Sequence, residues 1–236
     1  MLKRYIGIIL IYVFAQLSIF PVARWLNRLD LSPIEFNNIL LGWQIAGFIL
    51  ALFFTLILLR KEKHLPRDPD QASPVMTVIW SILGLVMALF GQFIANVIQV
   101  TLFGVDQQSQ NTVEIMEVAR AFPLFILIIA VVGPILEEII FRKIIFGELY
   151  KRSNFWIAGG ISGVIFAVIH DDFTHLLVYF VMSFVFAFVY VQSKRIIVPI
   201  AAHVLMNTFV VIVQLSFDPA EMEQILEQVQ MIVIGG

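Results

Sequence analysis

Seven stretches of the chain are apolar almost without interruption, at 5–23, 37–59, 75–103, 121–149, 155–170, 173–193 and 196–216. A helix needs roughly 20 such residues to cross a bilayer. The fifth stretch falls a little short of that length, and the third and fourth exceed it. The pattern predicts an all-α fold, a polytopic membrane helix bundle of about seven transmembrane helices. Two amphipathic pieces flank the spans. Asn111–Arg120 carries Val113, Met116 and Glu117 at helical spacing and is placed to gate entry at one membrane face. After Asp218-Pro219, Met222, Ile225, Val229 and Ile232 recur at helical spacing, which predicts a short C-terminal amphipathic helix opened by the proline. Its polar face is acidic. Lipid-surface helices are basic, so this one is expected to pack on protein.

Charge fixes the expected direction of insertion. With a cytoplasmic N-terminus, the inner segments hold Lys3 and Arg4, then Arg60, Lys61, Lys63 and Arg67, then Arg142, Lys143, Lys151 and Arg152, then Lys194 and Arg195, which is 12 of the 15 basic residues. The outer segments keep Arg24, Arg28 and Arg120. The positive-inside rule therefore favours seven spans with the N-terminus in and the C-terminus out. The first span follows Lys3 and Arg4 as a signal peptide would, but no small-residue cleavage site follows it, so it is read as a retained helix. Four regions result: N-terminal membrane helices with a charged, proline-bearing inner loop (1–74), a third membrane helix with the outer amphipathic segment (75–120), a membrane core (121–216) and a helical tail (217–236).

Composition agrees. Hydrophobic residues make up 60% of the 236 and charged residues 14%, against about 25% charged in a soluble domain. Twenty-two Phe residues are too many for a soluble core of this size. The absence of cysteine excludes disulfides, thiolate nucleophiles and Cys-based zinc sites. No basic cluster interleaved with aromatics points to nucleic acid.

Three polar clusters interrupt the core. Ionisable groups at mid-bilayer cost about 2.5–3.5 kcal/mol each on insertion scales, which makes function their default reading. In Glu137-Glu138-Ile139-Ile140-Phe141-Arg142, Glu138 and Arg142 are four residues apart and can neutralise each other on one helix face. Glu137 lacks that partner. An unpaired carboxylate in an apolar site ionises reluctantly, as suits a group that exchanges protons near neutrality. Gly133-Pro134 just upstream is expected to bend the helix there. The second cluster, Phe166–His170, closes the fifth span. Gly159 and Gly163 allow a neighbouring helix to approach closely, which turns His170 toward protein. The third, His203–Asn207, puts two hydrogen-bond donors on one helix face. Each has a structural reading as well: a buried ion pair with a spare Glu, an interfacial His beside Asp171 and Asp172, and a helix–helix hydrogen bond.

Depth links the clusters. At 1.5 Å rise per residue, Glu137 and His170 lie roughly 20 and 23 Å from the inner turn at 151–154, and His203 and Asn207 roughly 12 and 18 Å from Arg195. All four can reach one layer of the membrane. Such a set suits transfer of an acyl group to water. Glu137 would be the general base, His170 would help hold the water, and His203 and Asn207 would stabilise the oxyanion. Alternatively, Glu137, His170 and His203 could hold zinc with an open coordination position. A non-catalytic scaffold or a small proton-coupled transporter would also use buried carboxylates, although no internal repeat of the kind transporters often carry is visible.

The motifs Glu-Glu-x-x-x-Arg (137–142), Phe-x-x-x-His (166–170) and His-x-x-x-Asn (203–207) resemble those of the CPBP family of intramembrane proteases, also called Abi, which includes CaaX-type prenyl endopeptidases and bacteriocin-processing or immunity proteins. Each motif alone is weak; three in order, about 30 residues apart on membrane helices, are specific. The resemblance covers about 121–216 and leaves 1–120 unassigned. It implies an intramembrane endopeptidase acting on a membrane-associated peptide or protein. Glu137 and His170 would activate water, His203 and Asn207 would form the oxyanion site, and Glu138, Arg142 and Phe166 would support them. It allows both a zinc metalloprotease and a metal-free glutamate mechanism that needs no cofactor. The short chain resembles prokaryotic members, which places it in a bacterial or archaeal cell membrane, and it makes a non-catalytic immunity protein the main alternative. Every motif position is kept. Substrate, cleavage site and oligomeric state are left open.

Overall fold

A computed structural model describes residues 2–60, 62, 68–105 and 109–217, with 221, 224, 225 and 228 of the tail. The regular structure of the described residues is all helical, with no strand among them. Eight helical segments follow in order: α1 (Leu2–Leu26, with an irregularity at Ser18), α2 (Pro33–Leu59), α3 (Pro74–Phe103), α4 (Gln110–Ala121), α5 (125–150), α6 (Phe155–Val168), α7 (Leu176–Ser193) and α8 (Ile197–Ser216). Helices α1, α2, α3 and α8, and the stretch Phe173–Ser193 containing α7, are each long and apolar enough to cross a membrane. Segment α5 and the shorter apolar helix α6 occupy the two remaining predicted spans. The surface fits a lipid environment: Phe20, Phe103 and Trp156 are 68, 71 and 73% exposed, where a soluble protein would bury rings of this size.

Local chemistry sets the helix ends. Ser32 and Glu35 form a reciprocal capping box, followed by Pro33, at the start of α2. Ser73 and Pro74 open α3 in the same way, without the second half of the box. The C-terminal tail, including Asp218, Met222, Val229 and Ile232, lies largely outside the described residues, as do Lys61, Lys63 and Arg67 of the inner loop.

Segment α5 runs through the middle. On one side α1 and α2 pack onto it, joining Ile8, Tyr12 and Phe48 to Leu136, Ile140 and Phe166 in one buried cluster. On the other, α3, α7 and α8 share a cluster of Ala88, Ala95, Met182, Phe186, Ala202 and Met206. The predicted close approach at Gly159 and Gly163 is present. A Cβ at either would come within 3.0–3.1 Å of the Phe184 or Phe180 ring of α7. These glycines let α6 settle against α7 and so fix where His170, at its end, is held.

The long fourth span departs from a regular α-helix. It holds π-helical turns over Ile128–Val132 and Glu138–Phe146, on either side of Gly133–Glu137. Such turns are rare and concentrate at functional sites. The first meets a local need, since Pro134 has no N–H to donate and the widened turn before it accommodates the missing bond. Gly133 is the companion requirement, because a Cβ there would sit 3.0 Å from the Ile128 carbonyl oxygen. The second widening leaves the Phe141 carbonyl to accept a 2.9 Å hydrogen bond from buried Ser162 of α6.

Candidate active site

The three motifs converge across α5, α6 and α8. Glu138 is fully buried and serves two partners. One of its oxygens is 2.8 Å from His203 Nδ1, and the other is 3.1 Å from Arg142 Nε. The Arg142 contact is at ion-pair distance without hydrogen-bond alignment, and the guanidinium Nη atoms, also fully buried, have no acceptor among the described residues. Aromatic faces cover that charge instead. Arg142 Cζ lies 4.3 Å from the centre of the Phe166 ring and 5.3 Å from that of Phe186, in the range of cation–π attraction. The predicted pairing of Glu138 with Arg142 is therefore present, and Phe166 lies directly against it.

Glu137 leaves the helix in a different direction. Its side chain keeps 17% exposure, and its Oε2 is 3.9 Å from His203 Nε2. His203 thus stands between two carboxylates, one on each ring nitrogen, and its ring stacks on Phe186 at 4.7 Å. This central position of His203 was not legible in the spacing, which paired it with Asn207.

His170 is half-buried. Its Nδ1 is 2.7 Å from the Phe166 carbonyl oxygen. A carbonyl can only accept, so Nδ1 carries the proton and a neutral His170 keeps its lone pair on Nε2. Glu137 and His203 both lie within electrostatic reach of the ring. Asn207 donates 2.9 Å to the Ile129 carbonyl oxygen, an acceptor in the first π-helical stretch. That engages one of its two amide N–H groups.

Sequence reasoning missed several contributors. Tyr179 of α7 stacks on His170, with ring centres 4.2 Å apart and planes 26° from parallel. Its hydroxyl accepts 3.3 Å from Asn111 of α4. Tyr179 and Phe186 are seven residues apart and share a helix face, but in a chain with 22 Phe such a pair carries no signal. The turn after His170 is tied down as well. Asp171 takes a left-handed conformation, φ 53°. Asp172 accepts from Ser109 at 2.5 Å and Thr174 at 2.7 Å and lies 3.1 Å from His175 Nδ1. Burial pushes the Asp172 carboxyl up, but hydrogen bonds from Ser109, Thr174 and His175 outweigh it and hold the group below its ordinary range. Gln99 of α3 donates to the Thr174 carbonyl and accepts from Val178 N–H, pinning the start of α7. The predicted outer amphipathic segment is α4. It buries Met116 and Ala119 and is held at its far end by Arg120 on the carbonyls of Gln214 and Phe217.

Among the described residues, no three His, Asp or Glu side chains are disposed to hold a metal ion. Glu138 engages Nδ1 of His203 and the Phe166 carbonyl engages Nδ1 of His170, which leaves Nε2 of each ring free.

A family model described as type II CAAX prenyl endopeptidase Rce1-like matches residues 119–209. The chain is 44% identical over 241 aligned positions to the candidate membrane peptidase YdiL of Bacillus subtilis (strain 168), covering 100% of this chain and 99% of that protein. It is 33% identical over 232 positions to the membrane-embedded CAAX protease MroQ of Staphylococcus aureus (strain USA300), covering 95% and 94%. A shorter match, 35% identical over 83 positions, joins it to the UPF0177 protein YxdF of Lactococcus lactis subsp. lactis (strain IL1403) and covers 35% of this chain and 45% of that one. No solved structure matches the chain significantly.

Proposed function

The chain belongs to the CPBP family of membrane proteases, the family of the Rce1-like CAAX endopeptidases, and we propose that it hydrolyses a peptide bond of a membrane-associated peptide or protein with a water molecule activated by Glu137 and His170. The observation that carries this reading is the grouping of two carboxylates, one arginine and His203 inside the bundle, with only Glu137 keeping access.

Charge balance assigns the parts. Burial favours a neutral group. Glu137 and Glu138 ionised, Arg142 charged and His203 as imidazolium sum to zero. In that state Glu137 is a free base, and His203 presents Nε2–H with Glu138 balancing its Nδ1–H. The attacking water donates one proton to Glu137 and its other hydrogen bond to His170 Nε2, which leaves an oxygen lone pair for the scissile carbonyl. Attack forms the new C–O bond and moves the carbonyl electron pair onto oxygen. His203 Nε2–H and the second N–H of Asn207 stabilise that oxyanion. Its collapse breaks the C–N bond, and the proton held by Glu137 passes to the leaving amine. Net charge in the site is unchanged at each step. On the metalloprotease reading Glu137 and the Nε2 atoms of His170 and His203 would hold zinc, which would supply a polarised water; no step here runs through a metal. The proposed orientation, N-terminus cytoplasmic and C-terminus outside, rests on the basic residues of the inner segments, which outnumber the outer three by 10 to 3 even with Arg142 and Lys143 of the long fourth helix left out.

The test is cleavage of quenched fluorescent membrane peptides by protein reconstituted in liposomes. Glu137→Ala and His170→Ala are expected to keep the wild-type melting temperature within a few degrees and to lose turnover. Cleavage surviving Glu137→Ala would sink the proposal.

A further inference from the structure

The catalytic motifs leave one end of the bundle unused, the end that carries Lys143, Lys151, Arg152, Lys194 and Arg195. A cavity of about 340 Å³ opens there between Gln71, just before α3, Lys143 of α5, Tyr190 of α7 and the Lys194–Ile197 turn into α8. Among the described residues three cations line it and no carboxylate does. The acids stand outside the lining and hold the lysines from their flanks: Glu62 is 2.8 Å from Lys143, and Asp70 and Asp68 are 2.9 and 3.4 Å from Lys194. An ammonium has three donors, so such pairs leave donors free.

Arg195 differs from both lysines. It forms no ion pair among the described residues, and its Nε is shut away from water with no acceptor. An unmet buried donor is costly, and because Arg195 lines the cavity, a rotation of its side chain would bring the guanidinium donors to an arriving anion. The turn itself is shaped for this exposure of charge. Lys194 holds a left-handed conformation, φ 53°, at the end of α7, where glycine is the usual residue. Helix α8 then begins with Ile196 at the N-cap position and no side chain capping its first turn. Its positive end therefore faces the same region as the cations. Ile197, half-exposed and apolar, forms the rim toward the bundle's lipid-facing side.

We propose that this cavity binds the phosphate of an anionic phospholipid in the leaflet at this face. The planar Arg195 guanidinium and two ammonium groups suit the several oxygens of a phosphate better than a single carboxylate. The apolar rim lets acyl chains continue down the side of the bundle. Positive-inside counting makes this the cytoplasmic leaflet, where anionic lipids attract basic pockets between helices.

The test uses the full chain in zwitterionic detergent and follows its melting temperature while dioleoyl phosphatidylglycerol, dioleoyl phosphatidylcholine or inorganic phosphate is added. Phosphatidylglycerol is expected to raise the melting temperature at a concentration at least ten-fold lower than phosphatidylcholine requires. Arg195→Gln is expected to weaken that response ten-fold or more, and Arg195→Lys less. Gln71→Glu provides a second variant that adds a carboxylate to the half-buried rim without removing any ion pair, and it is expected to abolish the preference. Equal responses to the two lipids overturn the proposal, as does an unchanged response in both Arg195→Gln and Gln71→Glu. A shift of the same size with millimolar inorganic phosphate alone also overturns it, in favour of a free-anion site.

Discussion

Replacing Glu138 by Gln separates what the buried charges do for the fold from what they do for the chemistry. Glu138 and Arg142 are both fully inaccessible. The carboxylate contacts Arg142 Nε at 3.1 Å and His203 Nδ1 at 2.8 Å. Removing its charge leaves a buried guanidinium with aromatic faces but no carboxylate against it, at a cost of about 3–5 kcal/mol. The stacking on Phe166 and Phe186 already exists in the wild type and does not offset this loss. For a chain of this size, each kcal/mol moves the melting temperature by about 2–4 °C, so Glu138→Gln is expected to lower it by about 6–20 °C. Exchanging the whole pair for apolar residues, Glu138→Leu with Arg142→Met, removes both charges and is often neutral or stabilising. A His203 Nδ1 left without its acceptor returns part of that gain, so the double variant is expected within about 2 kcal/mol of wild type. Its turnover should stay depressed about 10²–10⁴-fold, the range for a lost acid–base function, because His203 no longer has the carboxylate that supports its protonated form. Tryptophan fluorescence during heating and peptide turnover in liposomes measure the two effects separately. A single variant as stable as wild type would show that Glu138 does not compensate Arg142. A double variant that regains turnover would show that His203 works without Glu138.

Three further outcomes follow from the same geometry. Tyr179→Leu removes the ring that stacks on His170 and is expected to lower kcat about 10–100-fold with KM little changed, since small misplacements of a catalytic group have such effects; Tyr179→Phe, which keeps the ring, should retain most of the activity in the same liposome assay. Gly133→Ala places a Cβ 3.0 Å from the Ile128 carbonyl and 3.9 Å from Glu137 Oε1, so overpacking is expected to cost about 1–3 kcal/mol in thermal unfolding, with turnover falling further than stability explains. Asp172 has a depressed folded-state pKa, so its contribution is complete above the unfolded value of about 3.9 and is lost as pH falls through the folded value. Melting temperature measured against pH should therefore show an acid limb below about pH 4 in the wild type that is smaller in Asp172→Asn.

The sequence made the helices legible because lipid imposes a crude rule, a run of about 20 apolar residues, that does not depend on tertiary packing. Polar residues inside such runs stand out for the same reason. That is how Glu137, Glu138, Arg142, His170, His203 and Asn207 could be picked out and how the Glu138–Arg142 contact was anticipated. What was not legible depends on backbone register and on contacts between distant segments. The π-helical turns of α5 follow from Pro134, Gly133 and the hydrogen bond from Ser162 acting together, and periodicity cannot count them. The bend expected at Pro134 follows from its missing N–H, and the structure adds the widened turn that precedes it, which periodicity does not reveal. His203 pairs with Glu138, 65 residues away, rather than acting only beside Asn207. Tyr179 and Phe186 do their work as ring faces, and one more aromatic residue in an apolar helix gives no warning of that.

The central claim is that Glu137 makes this chain a peptidase. Its most direct test compares peptide termini, by mass spectrometry, from cells expressing wild type and Glu137→Ala at matched levels. The account predicts termini from membrane-associated peptides or proteins that appear with wild type and vanish with Glu137→Ala. Identical termini from the two, with the variant folded and its cellular phenotype unchanged, would contradict it and favour a non-catalytic immunity or scaffold role.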